Sequence, residues 1–284
     1  MTGANADPRV ISDFGEEWSS FDQSGASYLE LERIFEAYFS LFPWEQLAAD
    51  AEGFDLGCGS GRWAYFCAPK VGRLHCVDPA ERALEVARRT LEGRGNCQFH
   101  QASVDDIPLE DGSMDFGYSL GVLHHVPDTA AGLRDCVSKL KPGAPFLLYL
   151  YYALDNRPLW FRALWRASDL ARRVISKLPR GPKRLVTESI ALGVYWPLSR
   201  IARIADAGGL PITHFPLSAY RDKDLYTLRT DALDRFGTRL EQRFTKHEIE
   251  RMMSAAGLNN IEFAGHPPYW CALGYRSDGQ AEAQ

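Results

Sequence analysis

A chain of 284 residues, 45% hydrophobic and 24% charged, has enough apolar material for one elaborated α/β domain or two small ones, and excludes a disordered or collagen-like polymer. Its net charge of −5 argues against a whole-domain electrostatic footprint for nucleic acid, leaving room only for a local basic patch. The longest apolar run, Pro145 to Leu154, falls far short of the ~20 residues of a membrane span, and the polar N-terminus lacks an apolar signal region, so a cytoplasmic protein is expected.

Residues 1–50 read as a polar N-terminal segment and a packing helix. Leu31, Ile34, Phe35, Tyr38, Phe39 and Phe42 repeat at helical spacing, while Phe14 and Trp18 flank a hinge-like Gly15 ahead of that helix. From residue 51 to 152, short apolar runs alternate with helical stretches in a βαβ rhythm, which implies a mostly parallel sheet covered on both faces. Strands are expected near 52–56, 73–78, 97–101, 114–120 and 145–152, and helices near 61–69, 80–93 and 129–141. Residues 153–243 break this rhythm and read as a mostly helical insertion capping the acceptor site. The rhythm returns over 244–276, where Thr245 and Glu248 form a capping box and two strands follow near 260–265 and 270–276. A disordered tail is expected over 277–284. Six cysteines stand apart with no CxxC or Cys/His cluster, so neither a disulfide framework nor a metal site is signalled.

The strongest local signal is Phe54-Asp55-Leu56-Gly57-Cys58-Gly59-Ser60-Gly61-Arg62, a glycine-rich turn between strand and helix. Glycines there admit positive φ and close approach of backbone to a ligand, and the following helix offers N–H groups. The spacing is GxGxG rather than the dinucleotide GxGxxG, which disfavours an oxidoreductase. Asp78 ends the next strand 17 residues after Gly61, where a carboxylate accepts from both hydroxyls of a ribose. The two features together indicate a nucleoside.

With these motifs the sequence resembles the class I, seven-stranded S-adenosylmethionine-dependent methyltransferases. The resemblance covers about 52–152 and 244–276. It implies a three-layer α/β/α doubly wound, mostly parallel sheet with a helical insertion after strand five, and S-adenosyl-L-methionine as cofactor. Asp55, Gly57, Cys58, Gly59 and Gly61 match the family's first motif, and Asp78 with Pro79 its ribose-binding acid. Ser103, Val104 and Asp105, within SVDDIPLEDGSMD, match the segment passing under adenine. Leu120 opens the strand end and loop, SLGVLHHVPD, that lies beside the transferable methyl group. KLKPG, Lys139 to Gly143, matches the turn ahead of strand five. Where many members carry an Asp for the adenine amino group this chain has Ser103, so that contact passes to backbone, Asp105 or water. Ala144 replaces the second glycine of the usual PGG turn. Arg62 is a candidate partner for the methionine carboxylate.

Transfer from a sulfonium needs acceptor and methyl held near attack distance with water excluded, and no covalent protein nucleophile. A hydroxyl acceptor benefits from a base, and His124 and His125 follow the strand's C-terminal end, the edge where open α/β sheets place ligands. O-methylation is therefore slightly favoured over N- or C-methylation. His247, two residues into the capping-box helix, reads as a surface residue. Tyr149 and Tyr152 are candidate acceptor walls, and Trp18 with its aromatic neighbours a candidate lid.

Within the insertion, Trp160, Leu164, Ala167, Ala171, Val174 and Leu178 form one apolar helical face, with Arg162, Arg166, Asp169, Arg173 and Lys177 opposite. Residues 157–184 hold nine Arg or Lys against one Asp. Such a stretch suits a peripheral membrane contact, an anionic acceptor or a partner, or else a lid helix with a solvated basic face. The expected acceptor is a small or lipid-linked molecule. The rivals are an RNA methyltransferase, disfavoured by net acidity, and a non-catalytic cofactor-binding protein at a membrane surface. The sequence leaves the oligomeric state open.

Overall fold

The computed structural model describes residues 5–20 and 28–278, without the side chains of Asp13 and residues 16–20. Seven strands make one sheet: β1 (Glu52–Leu56), β2 (Arg73–Asp78), β3 (Cys97–Gln101), β4 (Phe116–Leu120), β5 (Pro145–Tyr149), β6 (Leu258–Phe263) and β7 (Cys271–Arg276). Their order is β3-β2-β1-β4-β5-β7-β6. The first five run parallel, and β7 is antiparallel to both β5 and β6. Chain direction along the sheet therefore reverses between β1 and β4, and the crevice at their C-terminal ends is where such a sheet takes a ligand.

Alternation along the strands divides the core. Phe54 and Leu56 join Phe146, Leu148 and Leu133 in one apolar cluster, while Phe116, Tyr118 and Leu147 join Phe35, Phe39 and Trp63 in another. Helices α1 (Pro8–Ser20), α2 (Tyr28–Tyr38), α3 (Arg62–Cys67), α4 (Glu81–Thr90) and α5 (Thr129–Lys139) precede the insertion. After it, α10 (Lys246–Ala255) starts on the capping box: Thr245 Oγ1 accepts from the Glu248 amide at 3.2 Å, and Glu248 Oε2 accepts from the Thr245 amide at 2.8 Å.

Three expectations are corrected. The segment ahead of the packing helix is itself helical, α1 running straight through Gly15 instead of hinging there. Asp7 starts it by accepting from the Arg9 amide at 2.8 Å, with Pro8 opening the first turn, and that Asp-Pro pair was the signal in the sequence. Strand β5 stops at Tyr149, Tyr152 making only an isolated parallel bridge to Phe244. At the C-terminus Ser277 is tied to the Gly257 carbonyl at 2.9 Å, so ordered backbone extends past β7; residues 279–284 of the expected tail lie outside the described residues.

The chain divides into two compact units. One holds the sheet, with Leu31–Ala153, Leu240 onward and the described residues before 22; the other holds Leu154–Arg239 and, from the start of α2, residues 28–30. The second unit contains α6 (Leu159–Ile175), α7 (Arg180–Ile190), a π-helical turn at Ala191–Tyr195, α8 (Trp196–Ala207) and α9 (Leu225–Gly237). Its own small core is Ala191, Tyr195, Leu228, Ala232 and Phe236.

Candidate active site

The glycine turn after β1 is shaped by backbone that only glycine holds cheaply. Gly57 has φ +74°, and a Cβ there would stand 2.3 Å from Val122. Its amide and that of Cys58 donate to the Val77 carbonyl at 2.7 and 3.1 Å, pinning the turn to β2. Asp78, the last residue of β2, closes the arrangement: Oδ2 accepts from the Gly59 amide at 3.0 Å and Oδ1 from the Ala80 amide at 2.9 Å. Burial lifts the Asp78 carboxyl to about 6 against the pull of these two amides. Each oxygen keeps a further lone pair for a hydroxyl.

Beneath the turn lies a group of buried polar atoms. Asp55 Oδ2, Ser60 Oγ and the Tyr118 hydroxyl complete no hydrogen bond of good geometry among the described residues. Burial raises Asp55 to about 8, with the Tyr118 hydroxyl beside it opposing. Buried polar groups in folded proteins are satisfied as a rule, and Asp55 and Tyr118 stand next to each other as partners, with Cys67 beside Tyr118. Arg62 lies nearby with its guanidinium 4.4 Å over the Trp63 ring.

The adenine-side candidates sit together. Val104 is buried, Ser103 Oγ donates to Asp105 Oδ1 at 2.6 Å, and Asp105 Oδ2 accepts from the Asn5 amide at 2.9 Å. Partial burial of Asp105 is outweighed by those two donors, which hold its carboxyl below the usual range. Asn5 also exchanges two bonds with the Asp128 backbone, at 2.8 and 2.7 Å, so the start of α1 is fastened across the loop after β3 and the loop after β4. Further along α1, Gly15 lies beside Ala80, at ordinary van der Waals distance, and the Phe14 ring centroid lies 4.8 Å from that of His125. Trp18 lies in this helix, but its side chain falls outside the described residues. Pro79 accepts a long 3.5 Å contact from Gln101, and Leu120 is buried in the core cluster under the turn.

After β4, Leu123–His125 forms a single 3-10 turn that buries both histidines. They are wired oppositely. His125 Nδ1 lies 2.6 Å from the Leu240 carbonyl, which can only accept, so this nitrogen carries the proton and a neutral ring has its basic lone pair on Nε2. His124 Nδ1 instead accepts from the Tyr151 amide at 3.4 Å, which places its proton on Nε2. Burial first, then the neighbouring His125 and Arg243, hold His124 well below the ordinary imidazole range, so it stays neutral. Its ring stacks on Tyr151 at 3.8 Å.

Tyr149 joins this group through Tyr151, 6.1 Å away, and Tyr38, 5.0 Å away. Tyr152 goes elsewhere, to Tyr269 at 5.7 Å and Trp270 at 6.5 Å, so the two candidate wall tyrosines belong to different aromatic groups. Two residues with no local motif complete the site. Arg243 donates to Glu241 at 2.8 Å and to the Tyr152 carbonyl at 3.3 Å, with its guanidinium 5.1 Å over the Tyr151 ring. The only hint in the sequence was opposite charges at alternate positions just ahead of the capping box. His247 is exposed, as its position predicted. No group of His, Cys, Asp and Glu among the described residues is arranged to hold a metal ion.

This seven-stranded order, with its glycine turn facing an acid at the end of β2, defines a class I methyltransferase fold. A model described as a methyltransferase domain matches residues 54–148. A ubiquinone biosynthesis O-methyltransferase of Methylocella silvestris is 30% identical over 196 residues, covering 63% of this chain and 74% of that protein. One from Xanthomonas euvesicatoria is 35% identical over 131 residues, 45% of this chain and 54% of that protein. A solved Nostoc punctiforme structure, described provisionally as an O-methyltransferase, superposes with a TM-score of 0.50 at 13% identity, covering 97% of this chain and 63% of that one, a likeness of fold. The chain belongs to the S-adenosylmethionine-dependent methyltransferases of this class. It is an enzyme, and S-adenosyl-L-methionine is its cofactor.

The residues at the switch point fit that cofactor: a carboxylate with spare lone pairs at the ribose position, a tight glycine turn beside it, and in that turn the buried Ser60 hydroxyl without a hydrogen-bond partner among the described residues.

Proposed function

We propose that this enzyme methylates a hydroxyl group on a small-molecule or lipid-linked acceptor, with His125 as the general base. When bound, the cofactor supplies an electrophilic methyl on a sulfonium. Asp78 and the glycine turn hold the nucleoside, with Asp55, Cys58, Gly59, Gly61 and Arg62 around the methionine end and Ser103, Val104 and Asp105 on the adenine side. Helix α1, fastened by Asn5, excludes water from the reacting atoms. His125 takes the proton from the acceptor hydroxyl at Nε2 while its Nδ1–H remains anchored on the Leu240 carbonyl. His124, with the opposite tautomer, packs Tyr151 and positions its neighbour.

The observation that carries this reading is the contrast between the two histidines, one with Nδ1 committed to a carbonyl and the other with Nδ1 accepting an amide. The names of the relatives, O-methyltransferases of ubiquinone biosynthesis, support the oxygen acceptor and a small-molecule class.

The test is His125→Gln against His124→Gln, assayed with radiolabelled cofactor and a panel of hydroxylated and amine acceptors. For His125→Gln we expect kcat to fall by about 10²-fold or more with cofactor Kd unchanged, and for His124→Gln a smaller loss. Labelling of amines alone, or full turnover by His125→Gln, refutes the reading.

A further inference from the structure

Helix α6 is inside out. At 100° per residue its inward face carries Trp165, Asp169, Arg172 and Ser176, while Leu159, Trp160, Leu164, Leu170 and Val174 share the opposite, exposed face. Leu170 and Val174 are 64% and 66% exposed, whereas Asp169 and Arg172 are only 7% and 6% exposed. The buried charges on that face are paired: Arg172 Nε donates to Asp169 Oδ1 at 2.7 Å, its Nη1 donates to the Thr238 carbonyl at 3.0 Å, and Arg235 lies 3.8 Å from Asp169. The helix is thus held by its polar face, which leaves its apolar face outward. Asp169, expected on a solvated basic face, is buried instead.

Exposed apolar side chains are found elsewhere in the second unit too. Among the described residues, all fifteen large apolar side chains that stand exposed belong to it, including Trp196, Ile201 and Ile204 on α8. Among its described residues the sheet-bearing unit has none. Exposed apolar surface on this scale marks an interaction site.

Charge selects the occupant. Arg166, Arg173 and Lys177 project along one edge of the α6 apolar stripe, and Arg180 and Arg184 continue the exposed basic series into α7. The one carboxylate in residues 157–184, Asp169, is buried and bonded to arginine. An apolar stripe bearing Trp160, edged within residues 157–184 by cations and no exposed carboxylate, complements a bilayer surface whose acyl boundary is apolar and whose headgroups are negative. No helix among the described residues is long and apolar enough to cross a membrane, so α6 would lie in the interfacial plane.

We propose that the second unit docks on anionic lipid bilayers, α6 burying Trp160, Leu164, Leu170 and Val174 at the acyl boundary while Arg166, Arg173 and Lys177 meet the headgroups. This rests on the second unit alone and holds whether or not the acceptor atom is oxygen.

The experiment is co-sedimentation of the full chain with phosphatidylcholine vesicles, with and without 30% phosphatidylglycerol, at low and high salt, alongside sedimentation equilibrium without lipid. The expected result is binding that requires phosphatidylglycerol and weakens with salt. Arg166→Glu/Lys177→Glu should weaken it at least tenfold, from roughly fivefold per basic residue, and Leu170→Ser/Val174→Ser should do likewise at unchanged charge. All variants should keep wild-type cofactor Kd, which separates lost docking from misfolding and from failure of the methyl-transfer reading. Equal binding to both vesicle types, no binding to either, or a lipid-free dimer dissociated by Leu170→Ser/Val174→Ser overturns the proposal, the last by assigning the face to a second copy of the chain.

Discussion

Both units have an apolar core, but they treat their remaining apolar and polar side chains differently. In the sheet-bearing unit the apolar positions of each strand face clusters in which Phe54, Phe116, Phe146, Leu147 and Leu148 have no exposure at all, and several of its buried polar groups, Asp55, Asp78, His124 and His125 among them, lie at the C-terminal side of the sheet. In the second unit α6 buries an aspartate and an arginine, and α7 buries Lys183 and Thr187, while leucines and tryptophans face outward. Hydrophobic burial accounts for the first arrangement directly. The second adds to its small apolar core a polar network that holds α6 at several points, and leaves a further set of apolar side chains at the surface.

The sharpest way to break this comparison is at Arg172. Its guanidinium serves Asp169 and the Thr238 carbonyl from a position almost without solvent, so Arg172→Ala leaves a buried carboxylate short of its nearest partner. We expect a loss of about 3 kcal/mol in denaturant unfolding, because removing one member of a buried pair strands the other. The double substitution Asp169→Leu/Arg172→Met should be close to neutral, since it removes both charges together. Near-zero cost for Arg172→Ala would mean that the network does not hold α6, and the inside-out description would fail.

A second, smaller effect concerns the polar groups buried in the sheet-bearing unit. Asp55 holds its proton to about pH 8, whereas an unfolded chain releases it near pH 4. Between those values the folded protein binds the extra proton, so this group's contribution to stability falls as pH rises through the window and is constant above it. Asp55→Asn should therefore gain stability relative to wild type at pH 8.5, on the order of 2 kcal/mol, and little at pH 5, as read by Tm without cofactor. The same variant should bind cofactor more weakly. A gain in Tm independent of pH would place the Asp55 titration elsewhere.

How much of this was legible beforehand follows the same division. Strand and helix alternation exposed the sheet because each element's period matches the face it buries, and the glycine turn and Asp78 were readable because their chemistry is local. Helix α1 was missed because Gly15 and polar neighbours outweighed the Asp7-Pro8 start. Arg243 reaches His124 by tertiary folding, and its alternation with Glu241 in the sequence says nothing of that neighbour. The tautomers of His124 and His125 depend on the Leu240 carbonyl and the Tyr151 amide, which no side-chain pattern encodes. For α6 the period was plain, yet a period only separates two faces. Which one turns inward was decided by Thr238 and Arg235, more than 60 residues away in the chain.

The finest effect tests the outward face without lipid. Leu148 and Leu170 are the same residue type in the two units, one with no exposure and the other 64% exposed. Truncation of a fully enclosed leucine costs about 2–5 kcal/mol through lost transfer energy and the cavity left behind. Leu170→Ser removes contacts that solvent already replaces, so in dilute, lipid-free protein it should change unfolding free energy by less than about 0.5 kcal/mol. If it instead costs as much as Leu148→Ala, and the cost grows with protein concentration, the face is covered by another copy in solution. A small cost that becomes a large loss of vesicle binding for Leu170→Ser/Val174→Ser would separate a surface kept for a bilayer from one that merely tolerates water.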